Sequence, residues 1–473
     1  VCMADENLRA ENERLRRQNE ALKARIGELE AAVKKLSERL GMNSRNSSMP
    51  PSSDMAHAGV VQHRRKPTGR KRGGQRGHEG RMRKRFAPQD IDHTEEFVPK
   101  RCRCCGVLLD GKAVLVEAHQ AVDVPPSVAE ITEYRRYRRA CACGAVTAAA
   151  FPAEVPDACV GPRLQAIMST LSGRYRLSRR EVLDAIVCLY GPKAKVSLGT
   201  VSALEHRSSV ALAPVHAQAL TTLRQAAVSH VDETSWRQNK GKAWLWTGVT
   251  KTLAVFHVHR RRSQEAFHEL LGNNYKGVIE TDRWTSYHGH SRWRRQLCWA
   301  HLKRNFQALT EIGHKGATHV GRVGLRAAKA VSEIWRGQQE GRVAHAKLRT
   351  GLQRIRQVLR RTLGKGSRST DPKTAALSRD LRKHFLSLWT FMRIEEVEPT
   401  NNRAERALRK GVLWRKGSFG SDSANGARFA ERMLTVSETL RLQGRNVVDF
   451  IEAAIRSHLT GTRPPSLLNA LSG

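Results

Sequence analysis

Three acidic residues stand far apart in this chain, each in a distinctive local sequence. They are Asp232 in His230-Val-Asp-Glu-Thr-Ser-Trp236, Asp282 in Ile279-Glu-Thr-Asp-Arg-Trp-Thr-Ser-Tyr287, and Glu405 in Pro399-Thr-Asn-Asn-Arg-Ala-Glu-Arg-Ala-Leu-Arg409. The chain around them is strongly basic: 83 Lys and Arg against 44 Asp and Glu give a formal net charge of +39. A basic chain attracts polyanions, and a small carboxylate cluster inside it can hold divalent metal against a phosphate. Carboxylate oxygens are the ligands that hard Mg²⁺ (or Mn²⁺) prefers. The combination points to phosphoryl transfer on a nucleic acid. Taken singly, each acid has an ordinary reading: a strand-end Asp can cap a loop, and Glu405 can pair with Arg409 at i+4.

The elements that must position these acids follow from periodicity. Residues 227–232, 243–249 and 253–259 are strand-like, with tight links at 238–241 and 250–252, so two hairpins make a three-strand antiparallel meander. Ser263 caps a short helix to Leu271. Residues 275–281 and 295–299 read as two more strands, and helix returns from Ala300. The order β-β-β-α-β-α/β is that of an RNase H-like fold. Asp232 is then expected to end the first strand, and Asp282 the fourth, beside the first. Glu405 sits on a later helix capped near Thr400, with Leu408 and Val412 on its face. Of the nearest competing acids, Glu233 points to the opposite sheet face from Asp232, and Glu280 lies deeper in its strand.

The rest of the chain divides by composition. Leu8, Leu15, Leu22, Leu29 and Leu36 repeat every seven residues, and Asn12, Asn19, Ile26, Val33 and Leu40 fall four further on. This pattern predicts a coiled coil over 5–41 and hence a parallel homodimer or higher oligomer. A basic linker over 42–95 begins with Ser/Pro/Asn-rich residues and continues with Arg64, Arg65, Lys66, Arg70, Lys71, Arg72 and Arg76, suited to DNA phosphates. Five of nine cysteines lie within 102–143. Cys102, Cys105, Cys141 and Cys143, each pair followed by Gly, resemble a zinc ribbon over 96–155, with short strands between and Zn²⁺ held by four thiolates. Cys104 and His119 are alternative ligands. Helices over 160–225, the first capped by Ser178, read either as a helix-turn-helix or as two packed core helices.

At 473 residues the chain is expected to hold roughly three domains. No run of about 18 apolar residues is present, so neither a membrane span nor a membrane partner is expected. No secretory leader is visible, and Val1 suggests an alternative start codon or a fragment. Clustered cysteines without a disulfide pattern fit a reducing cytoplasm.

The motifs carry a resemblance. The chain resembles the insertion sequence 66 family of bacterial transposases, of the DDE type. The match rests on the leucine-rich start, Asn43-Ser-Arg-Asn-Ser-Ser-Met-Pro-Pro-Ser-Ser-Asp54, Gly73-Gly-Gln-Arg-Gly-His-Glu-Gly80 and the cysteine knuckles. Its most specific parts are Val231-Asp-Glu-Thr-Ser-Trp236, Cys298-Trp-Ala-His-Leu-Lys-Arg-Asn-Phe306 and Asn401-Asn-Arg-Ala-Glu-Arg-Ala-Leu-Arg409. Departures are Arg283-Trp284, where a Gly is common, and the compact C-x-C. The resemblance implies a catalytic triad of Asp232, Asp282 and Glu405, with His301, Arg403 and Arg406 as active-site support. It divides the α/β core into 226–309 and 396–460 around a helical insertion at 310–395, and leaves a tail at 461–473. Its implied activity is cleavage at element ends and strand transfer into target DNA, in the bacterial cytoplasm on the nucleoid. Accessory proteins of the element are possible partners. The rival readings are a non-catalytic DNA-binding regulator derived from a transposase and an RNase H-like nuclease.

Overall fold

The computed structural model describes residues 2–40, 42–43, 45–47, 85–156 and 158–468. The basic-arm residues Arg64 to Arg76, and most of the Ser/Pro/Asn linker, lie outside the described residues. The chain divides into two units, one of residues 1–58 with 130–473 and one of residues 59–129.

The larger unit begins with a single helix, α1 (Cys2–Leu40). Arg14–Glu11, Arg17–Glu13 and Arg25–Glu28 pair along it at helical spacing. Leu15, Leu22, Ile26, Leu29, Val33 and Leu36 are exposed in the single chain. They form one apolar stripe, which water alone would not favour on a helix of this length.

A small hairpin, β1 (Arg138–Ala140) with β2 (Val146–Ala148), surrounds the second cysteine pair. The helices α2 (Pro162–Gly173), α3 (Arg179–Tyr190) and α4 (Leu198–Ala211) follow. Ser178 and Glu181 close a capping box at the start of α3. The connection 191–197 contains a 3-10 turn at Pro192–Ala194. Helix α4 buries Val201 and Leu204, and its Ser208 hydroxyl is bonded by Gln165 and Ser169 of α2. Its inward face is thus used for core packing.

The central sheet has five strands: β3 (Val228–Gln238), β4 (Gly241–Val249), β5 (Ala254–His259), β6 (Val278–Thr281) and β7 (Arg295–Leu297). Their order is β5-β4-β3-β6-β7. The first three form an antiparallel meander, and β6 and β7 run parallel to β3. Asn239 and Lys240 take φ of 49° and 60°, as a two-residue type I′ turn requires. That tight turn keeps β3 paired with β4 as far as Gln238↔Gly241. Asp232 therefore lies inside β3 and does not end it. What stops near Asp232 is only the pairing with β6, whose last partners are His230↔Glu280.

Helices cover both sheet faces. The face of Val231, Glu233 and Trp246 meets α5 (Ala213–Gln225) and α6 (Gln264–Leu271); any side chain at Gly248 would collide with Leu223 of α5. Across the other face runs α11 (Asn402–Ser418), so close that a Cβ on Gly411 would overlap Leu245 of β4. The free edge of β5 is closed by α12 (Ala424–Gln443). Its Glu431, Thr435 and Thr439, one helical turn apart, accept the N–H groups of Val258, Phe256 and Ala254. An edge strand so covered cannot recruit another chain. The last helix, α13 (Val447–Thr460), is tied to α2 by Arg163 with Asp449 and Glu452.

Between β7 and α11 come α7 (Trp299–Thr310), α8 (Lys315–Gln339), α9 (Leu348–Gly366) and α10 (Pro372–Lys383), capped by Asp371. They share a second core of Leu302, Phe306, Val320, Leu352, Leu363 and Leu381. No described helix is long and apolar enough to cross a membrane.

In the smaller unit the described residues carry a 3-10 turn at Pro88–Asp90 and an isolated bridge, Arg101↔Leu108. The strands expected near 114–119 are not formed: Val114, Leu115 and Val116 are exposed, with no described face to pack upon. Alternating apolar residues make a strand only where one side can be buried.

Candidate active site

Strand register brings the first two acids together. Continuing Val228↔Val278 and His230↔Glu280 by two residues sets Asp232 opposite Asp282, immediately past the last paired positions. Alternation along β3 turns Asp232 to the α11 face with Thr247 and turns Glu233 away with Trp246. Glu405 enters from above, in the first turn of α11.

Asn401 fixes that entry. It is fully buried, and its Nδ2 donates to the Val231 carbonyl of β3 at 2.7 Å. Its backbone N–H donates to Cys298 Sγ at 3.2 Å, and its carbonyl accepts from Glu405 N at 3.2 Å. The helix cap is thus Asn401, one residue beyond Thr400. Its side chain is committed to the strand and makes no cap bond of its own. Trp299 N–H donating to the Pro399 carbonyl (2.9 Å) joins the start of α7 to the same segment.

The carboxylates repel one another. Burial, then the charges of Glu233, Asp282 and Glu405, hold the Asp232 carboxyl well above the usual range. Burial and Asp282 also raise Glu405, opposed by Arg304. Glu405 Oε1 is buried without a hydrogen-bond partner, 3.4 Å from His301 Nδ1, which also lacks one. Burial and Arg304 push His301 down to about 4, so its ring is neutral and cannot balance Glu405. Crowded acids with an unpaired oxygen call for a cation, and the donors are hard oxygens of the kind Mg²⁺ takes. Cys298 stands beside Glu405 and His301 with ligand atoms within 4.8 Å. Burial pushes its thiol up to about 12, so it is no anionic ligand.

Several groups beside the acids escape a reading of spacing alone. Arg295 is buried under the Asp282 loop, donating to Thr281 Oγ1 (3.0 Å) and the Asp282 carbonyl (2.8 Å). Glu233 pairs with Arg262 (2.6 Å) and accepts from the Tyr287 hydroxyl, on the far face. Arg262 lies over the ring of Trp284 at 3.7 Å and of Trp244 at 4.9 Å. Arg304 has a buried Nε without a partner, and it sits one turn after His301 on α7. The i,i+3 spacing from His301 would have found it. Arg403 is spent on Glu398 (2.6 Å), and Arg406 is exposed on α11.

The cysteine knuckles share one local design. Cys102 N–H donates to the Val107 carbonyl and Gly106 N–H to Cys102, with Gly106 at φ 75°. Cys141 N–H donates to Ala145 and Gly144 N–H to Cys141, with Gly144 at φ 83°. In each, backbone N–H groups of the following residues lower the first thiol. The glycines supply the left-handed turn that brings the Val107 and Ala145 carbonyls back to the Cys102 and Cys141 N–H groups.

The family model described as "Transposase IS66 family" matches residues 190–429, which contain all three acids. A family of unknown function matches residues 2–84. Over 258 residues the chain is 24% identical to "Uncharacterized protein y4qI" of Sinorhizobium fredii (strain NBRC 101917 / NGR234), covering 49% of this chain and 46% of that protein. The chain thus spans about half the length of that curated relative. With the match extending over half of its length, the chain belongs to the IS66 family of transposases.

Proposed function

We propose that the chain is a DDE-type DNA transposase with an RNase H-like core, in which Asp232, Asp282 and Glu405 hold divalent metal. The observation that supports this reading is that acids on β3, just past β6 and in the first turn of α11 are near enough for the charges of Asp282 and Glu405 to raise Asp232, and that Glu405 has an unpaired buried oxygen. Mg²⁺ bound there supplies Lewis acidity for in-line displacement at phosphorus, the chemistry common to strand cleavage and strand transfer.

The chain's own residues do the rest. Asn401 holds Glu405 over Asp232, and Arg295 holds the Asp282 loop. Arg304 offers an unpaired guanidinium nitrogen beside Glu405, suited to a phosphate oxygen of the scissile strand. His301, neutral and 3.4 Å from Glu405, lines the site beside that carboxylate. The net charge of +39 draws double-stranded DNA, both element ends and target, and the basic arm with its Arg64–Arg76 cations adds sequence-independent contact. The apolar stripe of α1 would pair two chains, and hence two ends. Each cysteine knuckle offers a pair of thiols to Zn²⁺. The work is cytoplasmic, on the bacterial chromosome.

The test is Mg²⁺-dependent cutting of a labelled duplex carrying the DNA that flanks the gene. Wild type is expected to cut at the element boundary and Glu405→Gln to bind without cutting. Cutting by Glu405→Gln would remove Glu405 from the site. Binding without cutting by wild type would favour the regulator reading.

A further inference from the structure

A second polar cluster lies where the loop after β6 meets α10, outside the three-carboxylate site. His288 follows a 3-10 turn at Thr285–Tyr287, and Asp380 and His384 come from the end of α10. One ligand atom from each lies within 4.8 Å of the other two. The imidazole rings of His288 and His384 are 4.9 Å apart between centroids and tilted by 33°. Asp380 and His384 are one helical turn apart, and the His384 N–H still donates to the Asp380 carbonyl at 3.0 Å. Side chains at that spacing can reach one ion together.

His384 is 3% exposed, yet neither of its ring nitrogens has a hydrogen-bond partner. A buried polar group left so costs about 1–3 kcal/mol. Asp380 Oδ1 is 3.8 Å from His384 Nε2, too far for a hydrogen bond, and Asp380 Oδ2 accepts from Arg283. Burial, then Arg295, hold His384 down at about 4 and His288 below its usual value, so both rings keep their lone pairs at neutral pH.

The charged groups facing the cluster are Asp380, Arg283, Arg295 and Lys383. Their balance is positive, which disfavours an ion held by charge alone, as Mg²⁺ is. Imidazole nitrogens bind ions of the zinc class by lone-pair donation. We infer that His288, Asp380 and His384 form a site for a zinc-class divalent ion, fastening α10 of the insertion to the loop that carries Asp282. The bridge would run beside an existing one, since Arg283 also donates to Asn305 Oδ1 of α7 at 3.2 Å.

The experiment uses the full chain in excess Mg²⁺ with Co²⁺ as the probe, comparing wild type with His288→Ala and His384→Ala. Cobalt on cysteine thiolates shows sulfur-to-metal charge transfer, whereas cobalt on imidazole and carboxylate shows ligand-field bands alone. Each variant is expected to bind one Co²⁺ fewer per chain, losing ligand-field absorption and keeping the charge-transfer bands. Zn²⁺ is expected to raise the melting temperature of wild type more than that of His288→Ala. His288 is exposed, so its replacement leaves packing intact. Equal stoichiometry and equal spectra in wild type and His288→Ala would overturn the site.

Discussion

Replacing Asn401 with Ala tests how the site is assembled. Asn401 is the one described side chain joining the α11 cap to the backbone of β3, through its 2.7 Å bond to the Val231 carbonyl. That carbonyl is next to Asp232 and buried with its residue. Removing the donor strands a buried acceptor, which costs about 1–3 kcal/mol. The α11 start then keeps its bond to Cys298, and the segment before it keeps those from Trp299 to Pro399 and from Glu398 to Glu280. A displacement of Glu405 by about 1 Å would lower the cutting rate by roughly 10²-fold. The assays are urea unfolding of the metal-free chain and single-turnover cutting at saturating Mg²⁺. An Asn401→Ala chain with unchanged stability and wild-type cutting would show that Asn401 does not hold Glu405 in place.

Further outcomes follow from packing and charge. Burial, above all, raises Glu233 from 4.5 to about 7. A raised carboxyl contributes stability fully below pH 4.5, and that contribution is lost as pH rises through 7. Between pH 5 and 8 the metal-free Glu233→Gln chain should therefore lose less stability than wild type, by up to about 3 kcal/mol; parallel unfolding curves across that range would refute it. Gly411→Ala forces a methyl into Leu245 and should cost about 1–3 kcal/mol by thermal unfolding. Gly364→Ala, in α9 with open space around its Cα, should gain about 0.5–1 kcal/mol. Leu22→Asp, on the exposed stripe of α1, should convert a dimer to monomer in sedimentation while leaving the sheet folded.

What could be read from the sequence was set by local physics. Apolar runs bounded by tight turns at 243–249 and 253–259, and the Ser263 and Ser178 caps, fix their elements within a residue or two. The far end of β3 was less legible. Thr234, Ser235 and Arg237 show no alternation of their own and are strand only because the Asn239–Lys240 turn holds β4 beside them. Apolar residues at 114–116 read as strand by composition, but composition cannot supply a face to bury. Of the site, the three acids stood out because their neighbours are distinctive. Arg304 could have been found from its i,i+3 spacing to His301, whereas Asn401 and Arg295 act through contacts that no local pattern encodes. The His288–Asp380–His384 cluster joins residues almost a hundred positions apart for the same reason.

The most direct measurement is a calorimetric titration of Mg²⁺ into the DNA-bound chain, comparing wild type with Asp232→Asn, Asp282→Asn and Glu405→Gln. The account predicts metal binding in wild type with a proton release that grows as the pH is lowered, because burial and neighbouring charge raise Asp232 and Glu405. Each variant should lose most of that affinity. Undiminished binding in all three variants would place the metal elsewhere and contradict the site.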